Sequence, residues 1–277
     1  MNIIDSNILS ILPAMAASFA ATRQKSPHFF NLGAENAAAT LQHNRLPPGL
    51  PVAALHEIHA SEPGDACNAA TFTLLMAERA RMARMKAGRN AAPAILWARE
   101  NAEIRRQGYL YPPGVAELGI DPAGIVYIDA PDALAALRGA ADAGRCAALG
   151  AVIIELSGKY PKGFNLTATR RLSLSAQKSS VPIFCLRHDA GPPQIQPSAA
   201  YSRWQVASAP SAALEANAPG DPVFAVNLLR YRGGQEGFSA YLEWDRDEKA
   251  FRKAPDIGAI STFSAIRTDR ETLRKRA

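Results

Sequence analysis

Leu50-Pro-Val-Ala-Ala-Leu-His-Glu-Ile-His59, continued by Ala60-Ser-Glu-Pro-Gly-Asp-Ala-Cys67, is the stretch on which the fold turns. Its first part is apolar and partly alternating, which predicts a buried strand. From Asn68 the residues Phe72, Leu75, Met76, Arg79 and Met82 recur near helical spacing, with Gly88 as a stop. Outward from this unit, residues 93–98, 124–129, 151–156 and 181–186 read as further short apolar strands. Helices are predicted over 132–145 and 167–179, and Pro112-Pro113 and Asp121-Pro122 punctuate the connection before the third strand. Short apolar strands alternating with helices predict an α/β fold with a mostly parallel central sheet covered by helices. Beyond Trp204 the pattern changes. Val223–Tyr231 and residues 238–244 flank Gly233-Gly-Gln-Glu-Gly237, which predicts an antiparallel C-terminal β-hairpin. The expected organisation is an N-terminal helical arm over 1–45, a core over 46–250 that includes the hairpin, and a basic tail over 251–277.

With 277 residues and 48% apolar content the chain can bury one substantial core. A net charge of +6 and a pI near 9.4 favour acidic partners without specifying one. Cys67, Cys146 and Cys185 are odd in number and widely spaced, so neither a disulfide framework nor a zinc site is indicated, and a reducing cytosol fits. Residues 1–21 have an apolar middle and small residues, but they lack a basic leading region and carry Asp5; an arm is expected rather than an export signal. No stretch is long and apolar enough to cross a bilayer, so no membrane role and a cytoplasmic location are expected.

The strand–loop–helix unit is the place where a P-loop protein grips phosphate. That loop needs glycines so that backbone N–H groups can wrap the phosphates, a lysine for the outer phosphates, and a Ser/Thr hydroxyl for magnesium. Here the four slots hold Ala60, Asp65, Ala66 and Cys67, and between Arg45 and Arg79 there is no other lysine or arginine. Glu62 and Asp65 are expected to face a phosphate as like charges. At about 4 Å and an effective dielectric near 20, each such contact costs on the order of 4 kcal/mol. Lysine-assisted triphosphate binding is therefore not expected, and no cofactor or metal is assigned.

Four segments agree in order and spacing: residues 50–58 entering the loop, Leu110-Tyr-Pro-Pro-Gly-Val-Ala-Glu-Leu-Gly-Ile-Asp-Pro122, Leu166-Thr-Ala-Thr-Arg-Arg-Leu172, and Ser202-Arg-Trp-Gln-Val-Ala-Ser-Ala-Pro-Ser211. With them the chain resembles the RecA-like ATPase core and, more closely, the ImuA family of accessory proteins in bacterial damage-induced mutagenesis, from about Leu46 to beyond Trp244. The resemblance places Glu100 in the slot of a water-activating glutamate. It places Glu155 at the end of the Walker B strand, one methylene longer than the usual aspartate, and Arg187 where RecA-like recombinases carry a glutamine that couples nucleotide state to DNA binding. Two carboxylates without a phosphate cradle cannot organise phosphoryl transfer, which depends on positioning and cationic stabilisation. Arg187 cannot accept a hydrogen bond, which interrupts the nucleotide relay.

Basic residues mark candidate partner or DNA surfaces. Arg170, Arg171 and Lys178 lie on the 167–179 helix, and Arg270, Arg274, Lys275 and Arg276 make a basic arm at the C-terminus. Arg79, Arg81, Arg84, Lys86 and Arg89 crowd the end of the first core helix, where the helix dipole by itself favours cations. His56 and His59 fall on opposite faces of the entry strand and have no matching ligand spacing, while Trp97, Trp204 and Trp244 are expected in the core. The family resemblance implies a non-catalytic accessory of SOS mutagenesis that bridges RecA, the polymerase-like ImuB and an error-prone DnaE-type polymerase in translesion synthesis. Two alternatives compete with it: a nucleotide-dependent ATPase using Glu100 and Glu155 at a non-standard phosphate site, and a SulA-like inhibitor of cell division.

Overall fold

The computed structural model describes residues 29–33, 49–88, 93–190, 196–234 and 237–254. Two short strands come first, β1 (Phe29–Phe30) and β2 (Leu50–Pro51), paired antiparallel as a separate ribbon. The nine-stranded sheet is built from β3 (Leu55–Ala60), β4 (Ile95–Glu100), β5 (Ile125–Ala130), β6 (Ala151–Ser157), β7 (Ile183–His188), β8 (Ser202–Ser208), β9 (Val223–Tyr231), β10 (Phe238–Asp245) and β11 (Ala250–Lys253). Their spatial order is β11-β10-β9-β8-β3-β7-β6-β4-β5. From β8 to β5 every neighbouring pair is parallel, and from β8 to β11 every pair is antiparallel. This is the α/β sheet with an antiparallel C-terminal hairpin that the sequence predicts.

Five helices are described: α1 (Ala66–Lys86), α2 (Asn101–Gln107), α3 (Pro112–Glu117), α4 (Ala133–Ala143) and α5 (Leu166–Ser179). The α1 helix lies on one face of the sheet, where Phe72 packs among Trp204, Phe224 and Phe251 with ring centroids 5.1 to 6.1 Å apart. Helices α4 and α5 cover the other face, over Val152, Ile154, Ile183 and Cys185. Each of these two starts on a side-chain cap: Asp132 accepts from the Ala135 N–H at 2.8 Å and Asn165 from the Ala168 N–H at 2.9 Å. Trp97, Trp204 and Trp244 are all inside. No helix among the described residues is long and apolar enough to cross a membrane.

Several boundaries differ from expectation for local reasons. The α1 helix starts at Ala66, not Asn68, because Pro63 opens a 3-10 turn over Pro63–Asp65 that winds directly into it. Pro112 begins a helix instead of interrupting a connection, since a proline at the first helical position loses no hydrogen bond. The strand β8 was not assigned from the sequence: its polar Ser202, Arg203 and Gln205 mask it, although Ser202 and Arg203 are buried. The sheet continues to Lys253, into the span assigned to the tail. The rest of that tail, with Arg270, Arg274, Lys275 and Arg276, and nearly all of the N-terminal arm lie outside the described residues, as does Arg89 after the first core helix.

The arginines at the end of α1 hold the body together. Arg79 donates to three backbone carbonyls, of Asn31 (2.9 Å), Gly33 (2.7 Å) and Lys249 (3.0 Å). Arg81 pairs with buried Glu78, and Arg84 is buried and reaches the carbonyls of Ser180 and Ala147. Internal hydrogen bonds and packing account for these three, with the helix dipole adding at Arg84 in the last turn.

Candidate functional site

Open α/β sheets bind ligands at the carboxyl ends of their parallel strands, so this edge is where each expected site residue is sought. Ala60 ends β3 and the Ser61 N–H donates to the Val206 carbonyl at 2.8 Å, which ties the following loop to β8. Asp65 is turned aside from the loop: its Oδ1 accepts from the Ser208 N–H (2.9 Å) and from the Ser208 hydroxyl (2.7 Å). Two donors at the end of β8 thus hold one oxygen of the carboxylate expected to face a phosphate. Ala66 opens α1 and Cys67 stands exposed on its first turn.

Glu155 is 1% exposed and lies on the α1 face of the sheet. Its Oε2 accepts from Trp97 Nε1 at 2.8 Å and lies 2.7 Å from Arg99 Nε. Its Oε1 accepts from Arg99 Nη2 at 3.1 Å and lies 3.1 Å from His188 Nε2. Burial by itself pushes this carboxyl up, but the bond to His188 and the Arg99 charge outweigh it and hold the group ionised below its ordinary range. Both oxygens are engaged by the protein, so the carboxylate is saturated where a magnesium-bound water would have to compete.

A second buried ion cluster occupies the opposite face. Glu57 is paired across the β3–β8 ladder with Arg203, whose Nε donates to Glu57 Oε2 at 2.8 Å, while the Ser198 hydroxyl donates to Oε1. His59 Nε2 lies 3.5 Å from Glu57 Oε2. Burial raises the Glu57 carboxyl, and His59, Arg203 and Ser198 together overcome that and bring it to about 2. Arg187 is 1% exposed, donates to the Gln196 Oε1 (3.1 Å) and the Gly158 carbonyl (3.0 Å), and lies 4.3 Å over the Phe164 ring. It is an interior post and presents no cation to a surface.

Glu100 and Glu155 are not brought together. Alternation along β4 puts Glu100 on the α4 face with Leu96 and Ala98, half-buried beside the backbone N–H groups of Ser157 and Ala133. Burial raises its carboxyl, with Glu103 and Asp132 adding to the effect. Glu155 falls on the α1 side with Ile153. The structure thus places an acid at the end of each strand and the sheet between them. Among the described residues no group of three or more His, Cys, Asp or Glu side chains is placed to hold a metal ion. Arg170, Arg171 and Lys178 are exposed together on one face of α5.

Sequence reasoning missed Arg99, Arg203 and Glu57. The signal was available: a charged residue inside an otherwise apolar strand is almost never fully buried without a partner, and each strand supplies one half of a pair.

No family model matches the chain. Over 197 residues it is 28% identical to Protein ImuA of Caulobacter vibrioides, with the same figures for two strains, and the alignment covers 68% of this chain and 74% of each relative. The chain is similar to Protein ImuA. That similarity and the resemblance carried by the four sequence segments point the same way. The relatives' name brings no residue roles with it, so the geometry described above carries the chemistry.

Proposed function

We propose that this protein is a non-catalytic accessory of damage-induced mutagenesis, related in fold to the RecA-like ATPases but working as a scaffold. In this reading it belongs to the SOS mutagenesis machinery and bridges RecA, ImuB and an error-prone DnaE-type polymerase during translesion synthesis. The similarity to Protein ImuA supports the general role. The observation that carries the non-catalytic part is the saturation of Glu155: Trp97, Arg99 and His188 occupy the carboxylate that a RecA-like enzyme needs for magnesium. The Walker A positions support it further, with Ala66 in the lysine slot and Asp65 turned to Ser208. Transferring phosphate requires cationic stabilisation of the moving group beside a bound metal, and the buried cations at this edge, Arg99 and Arg187, are committed to internal partners.

The test is binding of the purified protein to RecA and to ImuB by biolayer interferometry, alongside an ATP titration by calorimetry. Association with at least one of the two proteins and no heat of ATP binding is the expected result. No association with either protein, or micromolar ATP binding that responds to Glu155→Ala, overturns the reading.

A further inference from the structure

Between Glu155 and Asp189 the chain carries no acidic residue, yet Lys159, Lys162, Arg170, Arg171, Lys178 and Arg187 all fall in that span. The structure buries Arg187 and exposes the other five. Lys159 and Lys162 project from the loop joining β6 to α5, and that loop is fastened from beneath. Arg187 Nη2 donates to the Gly158 carbonyl, Gln196 Nε2 donates to the Lys159 carbonyl, and Phe164 packs under the Arg187 guanidinium. Pro161 is buried, and Gly163, at φ +83°, runs so close to α4 that a Cβ there would lie 2.8 Å from Leu134 Cδ1. Main chain and apolar groups thus anchor the loop, which leaves its polar side chains facing outward. Tyr160 is 71% exposed, with the Lys159 Nζ 5.5 Å from its ring centroid, and no hydrogen bond among the described residues holds its hydroxyl. The fold gains no packing from a ring in that place.

We propose that this loop and the first turns of α5 bind single-stranded nucleic acid, with Tyr160 stacking on a base and Lys159, Lys162, Arg170 and Arg171 following the phosphates. An open aromatic face between lysines fits a strand whose bases are unstacked, since every base offers a π-face and every linkage a negative charge. Lys162 Nζ lies 3.8 Å from Asp132 Oδ2; both side chains are well exposed, so phosphate can displace this carboxylate at little cost. A duplex keeps its bases stacked and gives Tyr160 nothing to do. An acidic protein would use the cations and leave the ring idle. The strip begins where β6 ends, beyond Glu155, and uses neither that carboxylate nor the proteins the chain assembles with.

The experiment is fluorescence anisotropy of the full-length protein with a labelled oligothymidylate of about 20 nucleotides, long enough to exceed one typical site, at low and at physiological salt. Tyr160→Ala is expected to weaken binding roughly tenfold while leaving the salt dependence unchanged. Lys159→Ala with Lys162→Ala is expected to lower the slope of log K against log salt by about 1.4, at about 0.7 per phosphate contact on a single strand. Cross-linking with an iodouracil-substituted oligonucleotide gives a second readout on the unmutated chain, with the adduct expected on Tyr160. Unsaturable binding, a Tyr160→Ala protein that binds as the parent does, or adducts confined to residues 267–276 would overturn the proposal. So would polyglutamate competing equally well against both proteins, which assigns the strip to an acidic protein.

Discussion

Glu155 and Arg99 stand directly opposite each other across the β6–β4 ladder, with the guanidinium Nε 2.7 Å from the carboxylate and side-chain exposures of 1% and 5%. Glu57 and Arg203 repeat the arrangement across β3 and β8 on the other face. The first pair sits near the carboxyl ends of β4 and β6, so part of the edge that in open sheets gathers charge for a ligand is neutralised from within, while the second lies at the middle of β3 and the start of β8. Two buried ion pairs are poor devices for stability compared with well-packed apolar groups, but breaking one of them leaves a bare charge inside.

That asymmetry gives the first prediction. Glu155→Ala should destabilise the protein by about 3–5 kcal/mol in urea unfolding, because Arg99 is left buried and uncompensated. Adding Arg99→Met should recover most of the loss. In a working active site the corresponding change commonly leaves stability intact or improves it, since catalytic groups are held under strain. A Glu155→Ala protein as stable as the parent would remove the structural role given to this residue.

Restoring the P-loop residues alone should not restore the function. In an Asp65→Gly/Ala66→Lys/Cys67→Thr variant, a lysine is supplied but Glu155 remains held by Arg99, Trp97 and His188, so magnesium has no carboxylate to reach through water. The change also strips Ser208 of the acceptor for its N–H and hydroxyl, which costs less than the roughly 3–6 kcal/mol that two bonds to a buried charged group are worth, because Ser208 is exposed and water can replace the acceptor. Calorimetry should find ATP affinity no better than about millimolar, near −4 kcal/mol. Tight binding by this variant would mean that the strand ends are open to nucleotide after all.

Much of the fold was legible because its strands are largely apolar and two of its helices carry side-chain caps. Asp132 and Asn165 mark the starts of α4 and α5 in the sequence itself. The strand β8 was not legible, since Arg203 reads as solvent-exposed until Glu57, 146 residues earlier, is known to face it. The site was legible only in what it lacks. Ala66 in the lysine slot is visible in the string of residues, whereas the direction of Asp65 depends on Ser208 and the saturation of Glu155 on Arg99 and His188, partners that only the sheet order brings near. Arg187 carries the same lesson: its charge suggests a surface, and Phe164 and Gly158 draw it inside.

Arg79 is expected to resist even the conservative change to lysine. Its guanidinium forks onto the carbonyls of Asn31, Gly33 and Lys249, joining the strand at the start of the described chain to the turn before β11 through α1. An ammonium keeps the charge but cannot span three carbonyls in a plane. Arg79→Lys should therefore cost roughly 2–3 kcal/mol, the worth of one or two lost bonds to a charged donor. Hydrogen exchange should show the loss concentrated in residues 29–33 and 250–254. Uniform exchange across the sheet would argue that Arg79 does not join these segments.

Acid should act on the molecule through His56. This ring is buried and stacked on Phe184, with Nε2 donating to the Pro51 carbonyl at 3.0 Å and Nδ1 left to accept from the Ser202 hydroxyl at 2.8 Å, which in turn accepts from Trp204 Nε1 at 2.9 Å. Burial drives its pKa from 6.5 down to about 4, against a smaller upward pull from the Pro51 bond. Between those two values the unfolded chain takes up a proton that the folded chain refuses. Stability therefore falls as pH falls through this window, by about 1.4 kcal/mol per pH unit and about 3 kcal/mol in all from this residue. His59, lowered by burial as well, adds to the same slope. Glu57, with its folded value near 2, contributes stability that is present above its ordinary carboxyl range and is lost only at lower pH. His56→Gln should be less stable than the parent at neutral pH and should close the gap as the solution is acidified from pH 6.5 towards 4. Urea unfolding of the two proteins across that range measures it; parallel pH profiles would show that His56 does not carry the proton that destabilises the fold.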